Sequence, residues 1–232
     1  MSDDDYKRAF YPEIVKHGSL KQALKVEFEK IESELKDKID GFAGYPELRV
    51  KQRSASVTTA TEKRLFLCSF RNYDITSAIG NTMSLSDAAR SMHNWLILKV
   101  KSSDLAKDFD FIKLSERGKV FEQGNYVEWN WQNYEKVINK EFPELISVFQ
   151  KAKRNEKLRK HIIFTSLNRL GFSNCKIGHI SFDVLITPLP AEKFTVSIKD
   201  KKENLEGFTP EAAIQAVAEN IKDECLECNG IK

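Results

Sequence analysis

From Ser19 to about Ile39, apolar Leu20, Leu24, Phe28, Ile31, Leu35 and Ile39 recur every third or fourth position, which predicts a helix of roughly five turns with one buried stripe. Ser19 followed by Gln22 reads as its capping box, and Gly41 to Pro46 as the turn that ends it. The pattern then changes. Leu48–Val57 and Lys63–Tyr73 are rich in β-branched and aromatic residues and are joined by a short link, which predicts an antiparallel hairpin. Leu65–Phe70 is apolar on both faces, so helices are expected against the sheet.

After a turn at Gly80–Thr82, Ser84 caps a helix over Leu85–Leu98 that places Trp95 on its buried face, with Asp87 in the first turn. A short amphipathic segment spans Ser103–Phe111. Lys119–Phe121 is strand-like, Tyr126–Lys140 is helical, and Pro143 opens a helix running to about Asn155. Beyond Arg159 the period shortens to that of extended chain over His161–Leu167, Arg169–Cys175, Phe182–Thr187 and Lys193–Lys199, a β-meander. Thr209 and Pro210 start a last helix with Ala213, Ile214, Val217 and Ile221 as its apolar stripe. The expected fold is α+β: an antiparallel sheet, made of the N-terminal hairpin and the C-terminal meander, packed by several helices. Its expected division is a helical segment over 1–47, an α+β core over 48–200, and a helix and tail over 201–232 packed on the same domain.

Composition narrows the function. The 232 residues are 41% hydrophobic, enough for a sizeable core, and their net charge of +3 is too small to imply nucleic acid by itself. The start, MSDDDYKRAF, is acidic and lacks the basic-then-apolar pattern of an export signal, and no apolar run approaches the roughly 20 residues of a membrane span. A cytoplasmic protein with no membrane partner is expected. Four scattered cysteines do not make a disulfide framework. Cys225 and Cys228 form one CxxC without a second ligand pair, so no metal is expected, and the absence of phosphate-binding glycine loops leaves no cofactor to expect.

Candidate chemistry is sparse. Were the chain an enzyme, Cys175, His179 and Asp183 are the set that could supply nucleophile, base and orienting acid, although β-rich surroundings with Gly178 keep their spacing from gathering them on a helix face. No catalytic residue is assigned. The basic stretch Lys151, Lys153, Arg154, Lys157, Arg159 and Lys160, interrupted by Glu156, offers either a solvated helix end or a contact patch. Together with Glu128 and Trp131 in NYVEWNWQNY, its residues Lys153, Arg154, Lys157 and Lys160 are the expected binding residues. A nucleic-acid partner is not expected, and the oligomeric state is left open.

Three blocks, Ile79–Leu96, Asn125–Tyr134 and Leu158–Cys175, with Leu105–Leu114 and Phe142–Ala152 between them, resemble an uncharacterised bacterial family. It is a domain of unknown function, widespread in actinobacteria, whose members are often labelled natural-product biosynthesis proteins. The resemblance runs from about Leu48 to about Ile198; where the family tends to place a proline before its Leu-Arg pair, this chain has Glu156-Lys157. The label names a genomic setting, so it carries no catalytic residue. In size and composition the chain is also similar to the small α+β immunity proteins encoded beside polymorphic toxins. That likeness implies a binder of a cognate toxin protein; the family label implies, alternatively, an enzyme or accessory factor in a biosynthetic cluster.

Overall fold

A computed structural model describes residues 9–73, 75–173, 184–199, 201 and 205–221. The chain divides into two compact units, Met1–Lys119 and Val120–Lys232. This boundary falls inside the stretch 48–200 expected as one core, because the apolar residues on its two sides close separate hydrophobic clusters.

In the first unit, α1 (Pro12–His17) and α2 (Leu20–Lys30) precede a six-stranded antiparallel sheet of β1 (Asp40–Phe42), β2 (Tyr45–Val50), β3 (Arg53–Thr59), β4 (Phe66–Asn72), β5 (Ile75–Thr82) and β6 (Ile112–Leu114), paired in chain order. Between β5 and β6 lie α3 (Leu85–Leu96) and α4 (Ser102–Asp108), and α5 (Glu116–Glu122), which follows β6, runs across the division after Lys119. The expected caps form: Ser19 Oγ accepts from the Gln22 amide at 3.1 Å, and Ser84 Oγ from that of Asp87 at 3.1 Å. Leu48, Val57, Phe66, Cys68 and Phe70 meet Leu24, Phe28, Met92 and Trp95 in one cluster. Burial pushes the Cys68 thiol up to about 12, so it is an inert apolar filler.

Arg53 ties sheet to helix. Its Nη1 donates to the carbonyl of Trp95 (2.9 Å), in the last turn of α3, and to that of Val100 (2.8 Å), beyond it, while its guanidinium lies 4.2 Å from the Trp95 ring centroid. Trp95 Nε1 donates in turn to the Ser54 carbonyl at 3.1 Å. Tyr11 does the same for the β3–β4 loop: its hydroxyl accepts from the Leu65 amide at 3.0 Å and reaches the Ala60 carbonyl at 2.8 Å.

Several sequence expectations are corrected here. The long N-terminal helix stops at Lys30, where Glu32 turns to φ 51° and a 3-10 turn over Glu34–Asp37 takes over; that turn still buries Leu35, so the stripe persists without the helix. The strand expected over Leu48–Val57 is two, because polar Lys51 and Gln52 make a hairpin turn with Lys51 at φ 56°. Gly80–Thr82 is strand rather than turn: Gly80 pairs with Cys68, and a Cβ there would stand 2.9 Å from the Phe111 ring. Lys119–Phe121 belongs to α5, whose Gly118 lets the helix approach β5 so closely that a Cβ would lie 2.4 Å from Ser77 Cα.

The second unit contains α6 (Tyr126–Glu141), α7 (Ile146–Arg154), a five-stranded antiparallel meander of β7 (Ile162–Ser166), β8 (Arg169–Ser173), β9 (Val184–Leu189), β10 (Lys193–Ile198) and β11 (Leu205–Phe208), and α8 (Pro210–Asn220). Thr209 Oγ1 caps α8 through the Ala212 amide at 3.3 Å. Trp131, Phe149, Leu170, Phe172, Ile186, Val196, Ile214 and Val217 share its core. The protein is therefore α+β, with two antiparallel sheets each packed by helices.

Candidate protein-binding site

The basic stretch forms the end of α7 and the turn after it, and the fold sorts its cations onto different sides. Lys153 faces α6, where its ammonium donates to both oxygens of Glu135 at 2.7 Å; this bond holds the Glu135 carboxyl below the usual glutamate range. Arg159 pairs with Glu128 and lies 5.5 Å from the Trp131 ring centroid. Lys151 turns the other way, to Glu211 on α8, and its hydrogen bond lowers the Glu211 pKa. Lys151, Lys153 and Arg159 thus each have a carboxylate partner, which weakens the phosphate-attracting field the stretch suggested.

Between α7 and α8 lies a groove of about 440 Å³, at the small end of ligand-sized clefts. Lys151, Arg154 and Asn155 form one wall, Glu211, Gln215 and Glu219 the other, and Ile214 and Ala218 the floor. The three polar residues of α8 stand four apart, so helical geometry stacks them on one face. Gln215 Nε2 donates to Glu219 Oε1 at 3.0 Å, which orients that wall. Arg154 is exposed and has no ion pair among the described residues. Opposite charges face each other across an apolar floor, an arrangement suited to a peptide segment bearing both an apolar side chain and charges of its own.

Of the residues expected to bind, Arg154 lines the groove, while Glu128 and Lys153 are held in ion pairs elsewhere. Lys157 and Lys160 lie in the following turn, outside it. Trp131 must be corrected: it is 0% exposed, its ring packed on Phe149 and Phe172 and its Nε1 donating to the His161 carbonyl at 2.9 Å, so it anchors the core and not an interface. The α8 wall was not anticipated; Glu211, Gln215 and Glu219 at intervals of four were the available signal. Cys175, His179, Asp183, Cys225 and Cys228 lie outside the described residues. Among the described residues no group of three or more His, Cys, Asp and Glu could hold a metal ion, and no helix is long and apolar enough to cross a membrane.

Residues 125–228 match the model of a family of unknown function, DUF6193. The matched stretch nearly coincides with the second compact unit, so the groove and the meander belong to the part of the chain that is similar to that family. The match begins at Asn125 and lends no support to the resemblance seen from Leu48 to Gly124. Neither the curated proteins nor the solved structures contain a match.

Proposed function

We propose that this chain is an immunity protein, which binds a cognate toxin inside the producing cell and neutralises it by occupying the toxin's surface. The groove between α7 and α8 is the observation that carries the binding part of this reading. Its facing charges and apolar floor suit a protein segment better than a phosphate backbone, since Glu211 and Glu219 repel phosphate where Lys151 and Arg154 attract it. The further step to toxin neutralisation is supported by the size and α+β composition shared with immunity proteins.

That test is co-expression with the product of the adjacent gene. The expected result is growth when wild-type protein is present and toxicity when it is absent. Arg154→Glu combined with Glu219→Lys should abolish protection while leaving the thermal midpoint unchanged, because both side chains lie on the groove's walls. A product that is harmless alone, or equally toxic beside this protein, rejects immunity and favours the biosynthetic alternative.

A further inference from the structure

The end of the meander formed by the β7–β8 and β9–β10 hairpins combines two costs that folding does not explain. Leu167 is 85% exposed and sits at φ 50°, the first of two residues between the closing pair Ser166 and Arg169. With Asn168 at φ 58°, this is a turn that favours asparagine or glycine at both positions; leucine pays a backbone penalty there and gains almost no burial. The neighbouring tip is a three-residue loop, Pro190 to Glu192, between the closing pair Leu189 and Lys193, and it too holds two left-handed residues, Ala191 at φ 60° and Glu192 at φ 52°.

The register places the two tips side by side. Leu170 opposes Ile186 across β8 and β9, so continuing the ladder brings Arg169 level with Thr187, and both loops leave the sheet at the same end. The centres of the two hairpins are two strand spacings apart, about 10 Å. Leu189, 38% exposed, is directly opposite Lys193, and alternation puts Arg169 on the same sheet face as both. Arg169 and Lys193 are exposed, and neither is in an ion pair among the described residues. The tips therefore make an apolar knob, Leu167 with Leu189 and Pro190, flanked by two cations and by Glu192.

We infer that this knob is a docking element: Leu167 inserts into an apolar pocket on a partner protein whose rim carries carboxylates that meet Arg169 and Lys193. Strain retained at an exposed position is explained by a contact made outside the chain, and the flanking cations select an acidic rim over a basic one. The inference rests on the reading of the chain as a protein-binding molecule; it requires neither the groove nor immunity.

The experiment places a photo-crosslinking amino acid at Asn168, beside an intact Leu167, in the full chain expressed in its native host. One adduct with a different protein is expected, and its yield should fall about tenfold with Leu167→Asn and similarly with Arg169→Glu combined with Lys193→Glu. Leu167→Asn should also raise the thermal midpoint by about 2–4 °C, since asparagine accepts the left-handed conformation. The inference is overturned by an adduct insensitive to both changes, by no adduct, by an adduct with a second copy of this chain, or by a lowered midpoint. Protection in the co-expression assay without a tip-dependent adduct would keep immunity and reject the knob; a tip-dependent adduct without protection would do the reverse.

Discussion

The carboxamide of Asn130 holds both backbone groups of Ile163: its Nδ2 donates to the carbonyl at 3.1 Å, and its Oδ1 accepts from the amide at 2.8 Å. Ile163 is on β7, at one edge of its sheet, so at this residue a side chain of α6 takes the place of a further strand. An open edge is a site of unwanted pairing, and here one buried asparagine occupies that edge at Ile163. Asn130→Ala should leave a donor and an acceptor unsatisfied, at a cost of about 2–4 kcal/mol in urea unfolding. Faster hydrogen exchange of the Ile163 amide would accompany it; unchanged exchange would show that the edge is closed by other means.

That contact also ties the block Asn125–Tyr134 to the block Leu158–Cys175. Trp131 reaches the carbonyl of His161, two residues before Ile163, and Arg159 lies against the Trp131 ring while pairing with Glu128. The aromatic spacing showed that Tyr126 and Trp131 point to different sides of α6, and both are buried. It could not show which neighbours receive them. Asn130 was invisible for a related reason: a polar residue in a helix reads as exposed unless its partner, 33 residues away in sequence, is known. Periodicity located α3, the β7–β10 meander and the caps, because these follow from local backbone rules. Division into two cores was not legible, since each apolar stripe records that it is buried and not against what.

Gly171 is paired with Phe164 across β7 and β8, and the ring lies over it so closely that a Cβ would stand 1.9 Å from Phe164 Cζ. Gly171→Ala must therefore displace the ring, at an expected cost of about 1–3 kcal/mol. In a Phe164→Ala background the same substitution should be neutral or favourable, because the obstructing ring is gone and glycine is a poor strand former. A double-mutant cycle by thermal unfolding measures the coupling, and additive effects would contradict the ring's position.

Trp95→Ala should destabilise by about 3–5 kcal/mol, the usual consequence of deleting a fully buried aromatic. The loss extends beyond packing, because Arg53 would lose the ring it covers and the Ser54 carbonyl its donor. Trp95→Phe keeps one six-membered ring and removes the pyrrole ring with its N–H, so it should cost less than Trp95→Ala in the same denaturant titration. Equal costs for the two would assign the effect to the pyrrole ring and its N–H, and not to the rest of the side chain.

The Glu135–Lys153 pair gives the second unit an acid-sensitive contribution whose sign follows from its direction of shift. The Lys153 hydrogen bonds hold Glu135 below the ordinary glutamate value, so folding favours the ionised carboxylate. The stabilisation is fully present above the unfolded-state pKa of about 4.3, and it is lost as pH falls through the lower folded-state value. Both side chains are partly open to solvent, which screens the pair and limits its worth to about 0.2–1 kcal/mol. Glu135→Gln should accordingly lower the thermal midpoint at pH 7 and at low salt, and the difference from wild type should shrink as the pH is taken below about 4. A difference that persisted unchanged into strong acid would mean that the glutamine disturbs packing between α6 and α7, and that the charge of Glu135 contributes nothing.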